Sequence, residues 1–160
     1  MDRKLCVFVV DDDEIMLEIL GAILQEEFVV ERFATGEACL ARVAEQKPDI
    51  LALDLTLPGI SGLEICQRLK GDWETQGIPI LFVSGNDDME TRIACYEAGG
   101  EDFITKPFDP DELLRKMRIS ARILGEKEAL NEQAGYATRT AMSAMASMGE
   151  LGVVLQFLSK

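Results

Sequence analysis

The 160-residue chain reads as an α/β protein: a doubly wound parallel sheet of five βα repeats, with a helical segment after it. Short apolar runs alternate with stretches of helical period, and each such stretch supplies the crossover that a parallel strand pair requires. The strand-like runs are nearly continuous in apolar residues, the pattern of strands covered on both faces. Right-handed crossovers then leave a sheet with helices on both sides and the functional crevice at the carboxyl ends of the strands.

Leu5–Val10 (LCVFVV) is the first apolar run, and Ile15, Ile19 and Ile23 beside Met16, Leu20 and Leu24 mark the first helix. Phe28–Phe33 reads as the second strand and Gly36–Gln46 as the second helix. Asp49–Leu53 (DILAL) is a third strand running into Asp54. Ser61 and Glu64 have the spacing of a capping box, so a third helix starts there. Pro79–Val83 is the fourth strand, Asp88–Ala98 the fourth helix, and Phe103 with Ile104 a short fifth strand. Asp109-Pro110-Asp111-Glu112 opens the fifth helix, with Asp109 as N-cap, proline in the first turn and acids near the positive helix end.

Composition removes several kinds of chemistry. The formal charge is −13, whereas binding a phosphate backbone calls for Lys and Arg, so no direct nucleic-acid contact is expected from this chain. Histidine is absent, which excludes Ser-His-Asp and Cys-His catalysis and imidazole metal sites within it. No apolar run approaches the length of a membrane span, and no secretory leader precedes the first strand. Cys6, Cys39, Cys66 and Cys95 form no CxxC pair and sit among apolar residues; buried free thiols in a reducing cytosol are expected. Trp73, in the connection between the third helix and fourth strand, is expected to pack over an edge.

The strand ends collect the chemistry. Strand one ends in Asp11-Asp12-Asp13, strand three in Asp54 followed by Thr56, strand four in Ser84-Gly85, and strand five in Thr105-Lys106-Pro107. Crowded carboxylates raise one another's pKa and destabilise a fold unless a cation neutralises them. Hard oxygen ligands with open water positions suit Mg²⁺, leaving one carboxylate as a nucleophile toward phosphorus, with a hydroxyl and an ammonium to hold phosphoryl oxygens. Asp13 reads instead as the cap of the first helix.

VVDDD at 9–13, LALDLTLPGISGLE at 51–64, ILFVSGND at 80–87 and DFITKPFDPDEL at 102–113 together resemble the receiver domain of two-component response regulators, over about residues 4–124. The resemblance implies a flavodoxin-like, chemotaxis-regulator-like fold and a phosphorylation switch. Its phosphoacceptor would be Asp54, charged by a histidine kinase or histidine phosphotransfer protein. Mg²⁺ would be held by Asp11, Asp12, Asp54 and the backbone carbonyl of Thr56. Ser84 would meet the phosphoryl group, Lys106 would pair with it, and the Lys106–Pro107 bond would be cis. Phe103 falls at the aromatic switch position, where plain core packing is the competing reading. Thr56 and Asn86 would flank the path of the hydrolytic water. Thr56 has no carboxylate or amide to orient that water, so slow to moderate self-dephosphorylation is expected. The resemblance also implies a cytoplasmic signalling module that controls a partner or output through the face of helix four, strand five and helix five.

Residues 125–160 are read as a separate helical extension after a receiver spanning 1–124. From Leu130, positions 130, 134, 137, 141, 144, 148, 151, 155 and 158 are apolar at alternating steps of four and three, and Met142 and Met145 widen the seam. Such a helix needs a partner, and pairing with its copy in a homodimer, or with an output partner, is favoured over folding back onto its own receiver. Gly135, Gly149 and Gly152 weaken the helix, so a break near 135 or 149 is entertained. Two alternatives compete with the switch: a phosphorylation-independent dimerising scaffold, and an aspartate-nucleophile phosphatase. The second usually needs another acid at the position of Thr56.

Overall fold

A computed structural model describes residues 3–147, with side chains over 3–135. The elements follow in the expected alternation: β1 (Cys6–Val10), α1 (Glu14–Leu24), β2 (Val29–Phe33), α2 (Gly36–Glu45), β3 (Ile50–Leu53), α3 (Gly62–Lys70), β4 (Ile80–Ser84), α4 (Met89–Glu97), β5 (Asp102–Thr105) and α5 (Pro110–Ser147). All five strands are parallel in the order β2-β1-β3-β4-β5. The order reverses between β1 and β3, which places the ligand crevice of such a sheet at their carboxyl ends. The chain divides into two compact units, Met1–Ala121 and Arg122–Lys160.

Strand alternation splits the core in two. Phe8, Val10, Leu51, Leu53, Ile80, Phe82 and Phe103 point to one face and meet Cys39 and Val43 of α2, Ile65, Cys66 and Leu69 of α3, and Cys95 of α4. Val7, Val9, Ile50, Ala52, Leu81, Val83 and Ile104 point to the other and meet Leu17, Leu20 and Leu24 of α1 with Leu113 and Met117 of α5. Period-two alternation with both faces covered is why these strands read as unbroken apolar runs. Asp13, Thr35, Ser61 and Asp88 cap the first four helices, each accepting a bond from a first-turn amide, an interaction worth about 1 kcal/mol apiece.

Expectations at the α3 capping box, Trp73 and Cys6 need correction, and the residues that mark α1 divide between core and solvent: Ile15 is 68% and Ile19 42% exposed, while Leu17, Leu20 and Leu24 are buried. A row stepping strictly by four drifts about 40° around the helix at each step, so it starts in solvent and only at Ile23 reaches partial burial. The capping box at α3 is half made. Ser61 Oγ accepts from the Glu64 amide, but the Glu64 carboxylate turns to Arg68 four residues on. Trp73 does not pack over an edge; it is 79% exposed. Cys6 is only half-buried and its thiol faces Glu31, whereas Cys39, Cys66 and Cys95 are buried. All four thiols are free. Burial pushes the thiol of Cys39 up to about 12 and that of Cys66 to about 11, values that leave them unreactive. Helix α5 passes through Gly135 without a break; Gly149 and Gly152, and the side chains of the seam from Ala137 onward, lie outside the described residues. No helix among the described residues is long and apolar enough to cross a membrane.

Candidate functional site

The register of the sheet assembles the site. Val10 pairs with Leu53 across β1 and β3, so the next residues, Asp11 and Asp54, leave adjacent strands side by side. The Asp54 amide closes this arrangement by donating to the Val10 carbonyl at 3.0 Å. Both acids are buried, at 1% and 7% exposure. Asp12, one residue further along, is exposed, yet one carboxylate oxygen from each of Asp11, Asp12 and Asp54 lies within 4.8 Å of the other two. Asp13 leaves the cluster, as its reading as a helix cap requires: its side chain takes the Ile15 amide at 3.0 Å.

Lys106 reaches the same pocket from the far side. It follows β5, two strands away from Asp54, and the Lys106–Pro107 peptide is cis. Its ammonium sits 2.6 Å from Asp11 Oδ2 and 3.4 Å from Asp54 Oδ2. Between them, at the end of β4, lies Ser84, buried at 2% exposure. The Lys106 amide donates to the Ser84 carbonyl at 2.9 Å. The Ser84 hydroxyl accepts from the Asn86 amide at 3.3 Å, which leaves its own O–H available to donate. Thr56 and Asn86 stand exposed at the mouth, and the Thr56 amide donates to Asp54 Oδ1 at 3.3 Å.

Charge explains the pocket's chemistry. Burial pushes the Asp54 carboxyl above the ordinary carboxylate range; Lys106 pulls it down and Asp11 pushes it up, and the upward effects win. Burial alone would lower the Lys106 ammonium, but its hydrogen bond to Asp11 and the charges of Asp54 and Asp11 hold it above its usual value. Three carboxylates therefore face one fixed cation. The donor set fits a small hard divalent ion: opposite oxygens of an octahedral Mg²⁺ shell stand about 4 Å apart, only a little closer than the spread of the three acids. Asp11, Asp12 and Asp54 could hold such an ion, with the Thr56 carbonyl on the loop that follows Asp54.

Two contacts support this site from its neighbours. A β-carbon on Gly62 would lie 2.0 Å from the Asp54 carbonyl oxygen, so the first turn of α3 rests directly on the backbone of the candidate nucleophile and only glycine fits. Phe103 is 2% exposed on the sheet face covered by α2, α3 and α4, and the Arg92 guanidinium of α4 lies over its ring, 5.1 Å from the centroid. Arg92 also donates to Thr105 Oγ1 at 3.3 Å. Sequence reasoning missed Arg92 because one basic residue on a helix surface has no signature until the facing strand is known.

Known proteins match this arrangement. A family model for the response regulator receiver domain covers residues 7–118. DNA-binding response regulator MtrA of Mycobacterium tuberculosis is 36% identical over 117 residues, covering 72% of this chain and 50% of the relative. The phosphate regulon transcriptional regulatory protein PhoB of Rhizobium meliloti is 33% identical over 117 residues, covering 72% of this chain and 52% of the relative. The chain thus spans about half the length of the curated relatives it matches. Among solved structures, the BeF3-activated receiver domain of DrrB from Thermotoga maritima superposes with a TM-score of 0.70 at 32% identity, covering 75% of this chain and 99% of that one. A CheY-like receiver domain protein from Methanospirillum hungatei gives 0.73 at 25% identity, covering 78% and 99%. The matched residues run from β1 through the acidic pocket into α5, and the chain belongs to the response regulator receiver domain family of two-component signalling.

Proposed function

We propose that this receiver is switched by a phosphoryl group placed on Asp54 by a histidine kinase or a histidine phosphotransfer protein. One observation carries the reading: the oxygens of Asp11, Asp12 and Asp54 lie within 4.8 Å of one another, with the Lys106 ammonium bonded to two of those acids. An Asp54 carboxylate oxygen attacks phosphorus, the P–N bond of the donor phosphohistidine breaks, and the departing imidazole takes a proton from solvent. Asp11, Asp12, Asp54 and the Thr56 carbonyl would hold Mg²⁺, which would neutralise the crowded oxygens and orient the phosphoryl group. Lys106 shifts its hydrogen bond from Asp54 to a phosphoryl oxygen, and Ser84 donates its free O–H to another.

The added charge, about −1.5 to −2 at neutral pH, draws the end of β4 toward the site. Phe103, seated between β4 and Arg92 of α4, passes that movement to the face of α4, β5 and α5, the surface through which we assign control of a partner or output. Residues 1–124 form the switching unit and 125–160 a helical extension that pairs with its copy in a homodimer. Hydrolysis resets the switch, with Thr56 and Asn86 tuning the rate. The module is cytoplasmic. Nucleic-acid binding is assigned to none of this chain's own residues; the relatives named for DNA binding are about twice its matched length. Exposure to a small phosphodonor with Mg²⁺, followed by intact-mass measurement, tests the reading. Wild type gains one phosphoryl group and Asp54→Ala gains none; equal labelling of both refutes it.

A further inference from the structure

The loop between Asp54 and α3 carries the Thr56 carbonyl, and something must hold that carbonyl still. Within the loop, the Gly62 amide donates to the Leu55 carbonyl at 2.9 Å. Among the described residues, one hydrogen bond reaches the loop from an element other than β3 and α3: the Ile60 amide donates to Glu37 Oε1 of α2 at 2.7 Å. The same carboxylate lies against Gly59. Gly59 has φ +76, a left-handed turn that favours glycine, and a β-carbon there would stand 2.6 Å from Glu37 Oε1, so any larger residue would push the carboxylate off its place. Gly36 completes the seat: a β-carbon on it would meet Ile60 Cγ2 at 2.6 Å, and its absence lets the Ile60 side chain press on the first turn of α2.

We infer that Glu37 is a positioning residue for the metal-binding loop, clamping Gly59 and Ile60 so that the Thr56 carbonyl is presented to the divalent ion. The inference rests on the reading of Asp54 as phosphoacceptor with Mg²⁺. Between the clamp and Thr56 lie only Leu57, which is buried at 8% exposure, and Pro58, whose ring fixes its φ, so few backbone torsions separate the clamped residues from the Thr56 carbonyl. A carboxylate suits the task because an amide bonds a charged oxygen more strongly than a neutral one.

The test uses the full chain, with the rate of phosphorylation by phosphoramidate measured against Mg²⁺ concentration and a thermal melt beside it. Glu37→Ala is expected to raise the half-saturating Mg²⁺ concentration about tenfold, in the range seen when a group supporting a metal ligand is removed, with a rate at saturating Mg²⁺ within about twofold of wild type. Glu37→Gln keeps the acceptor oxygen and is expected within about threefold of wild type in Mg²⁺ requirement, as a conservative rescue of an outer-shell contact. An Mg²⁺ requirement unchanged in Glu37→Ala while wild type is phosphorylated overturns the inference, and so does a lower melting temperature with that requirement unchanged, which would make Glu37 a fastener of the fold only. Equal shifts in both variants overturn it too, since charge rather than the hydrogen bond would then be acting. Wild type that takes no phosphoryl group sinks the Asp54 reading itself.

Discussion

Asp54 holds its charge in a place that disfavours charge. Because burial raises its carboxyl above the ordinary range, the folded state binds that proton more tightly than the unfolded chain does. Its contribution to stability is therefore present below the unfolded carboxylate pKa and lost as pH rises through the raised folded value. At neutral pH without divalent metal, Asp54→Asn should melt higher than wild type, and added Mg²⁺ should raise the melting temperature of wild type more than that of the variant; calorimetry with and without chelator reads both. Thr56, exposed at the mouth of the pocket, gives a second prediction. Thr56→Asn supplies an amide able to hold the attacking water, and the phosphoryl lifetime should shorten about tenfold, the worth of one hydrogen bond; an unchanged lifetime removes Thr56 from the hydrolytic path. The acids and Lys106 were legible in the sequence because each ends an apolar run at the same edge of the sheet. Glu37 was not, since its contact with Ile60 spans 23 residues and depends on how α2 leans over the β3–α3 loop, which no local pattern records.

At the level of elements, the strands were legible to within one residue; for β1, β3 and β4 burial on both faces leaves little but Val, Ile, Leu and Phe between their turns, whereas the edge strand β2 (VVERF) has no buried residue. Helix faces were less so. On α1 the regular isoleucine spacing is the more conspicuous feature, yet the core takes Leu17, Leu20 and Leu24. Leu20→Ala should therefore cost about 2–5 kcal/mol, whereas Ile15→Ser should stay within about 0.5 kcal/mol, as measured by urea denaturation. Equal costs would mean that the buried face of α1 has been misassigned. The connection between α4 and β5 was hidden for a different reason: a cation over a ring and a hydroxyl bond, Arg92 to Phe103 and Thr105, arise only when two elements distant in sequence are packed together.

Across the whole molecule, a chain of net charge −13 carries a reactive pocket that is itself acidic, so a divalent cation there would do local work that the few nearby lysines and arginines do not. Pairing through residues 125–160 makes its own prediction: in sedimentation the full chain should run as a dimer and a version ending at Gly125 as a monomer, and equal association of both would place pairing elsewhere. The extension was the least legible part of the sequence, because a seam of alanine, leucine and methionine announces a need for cover without naming what provides it. The most direct measurement treats the full chain with phosphoramidate, traps the acyl phosphate by borohydride reduction and maps the modified residue by peptide mass, once with Mg²⁺ and once with chelator. We expect modification at Asp54 alone and only with Mg²⁺; modification at Asp11, Asp12 or Asp13, or equal modification of Asp54 in chelator, would contradict a phosphoacceptor that works inside a divalent-metal pocket.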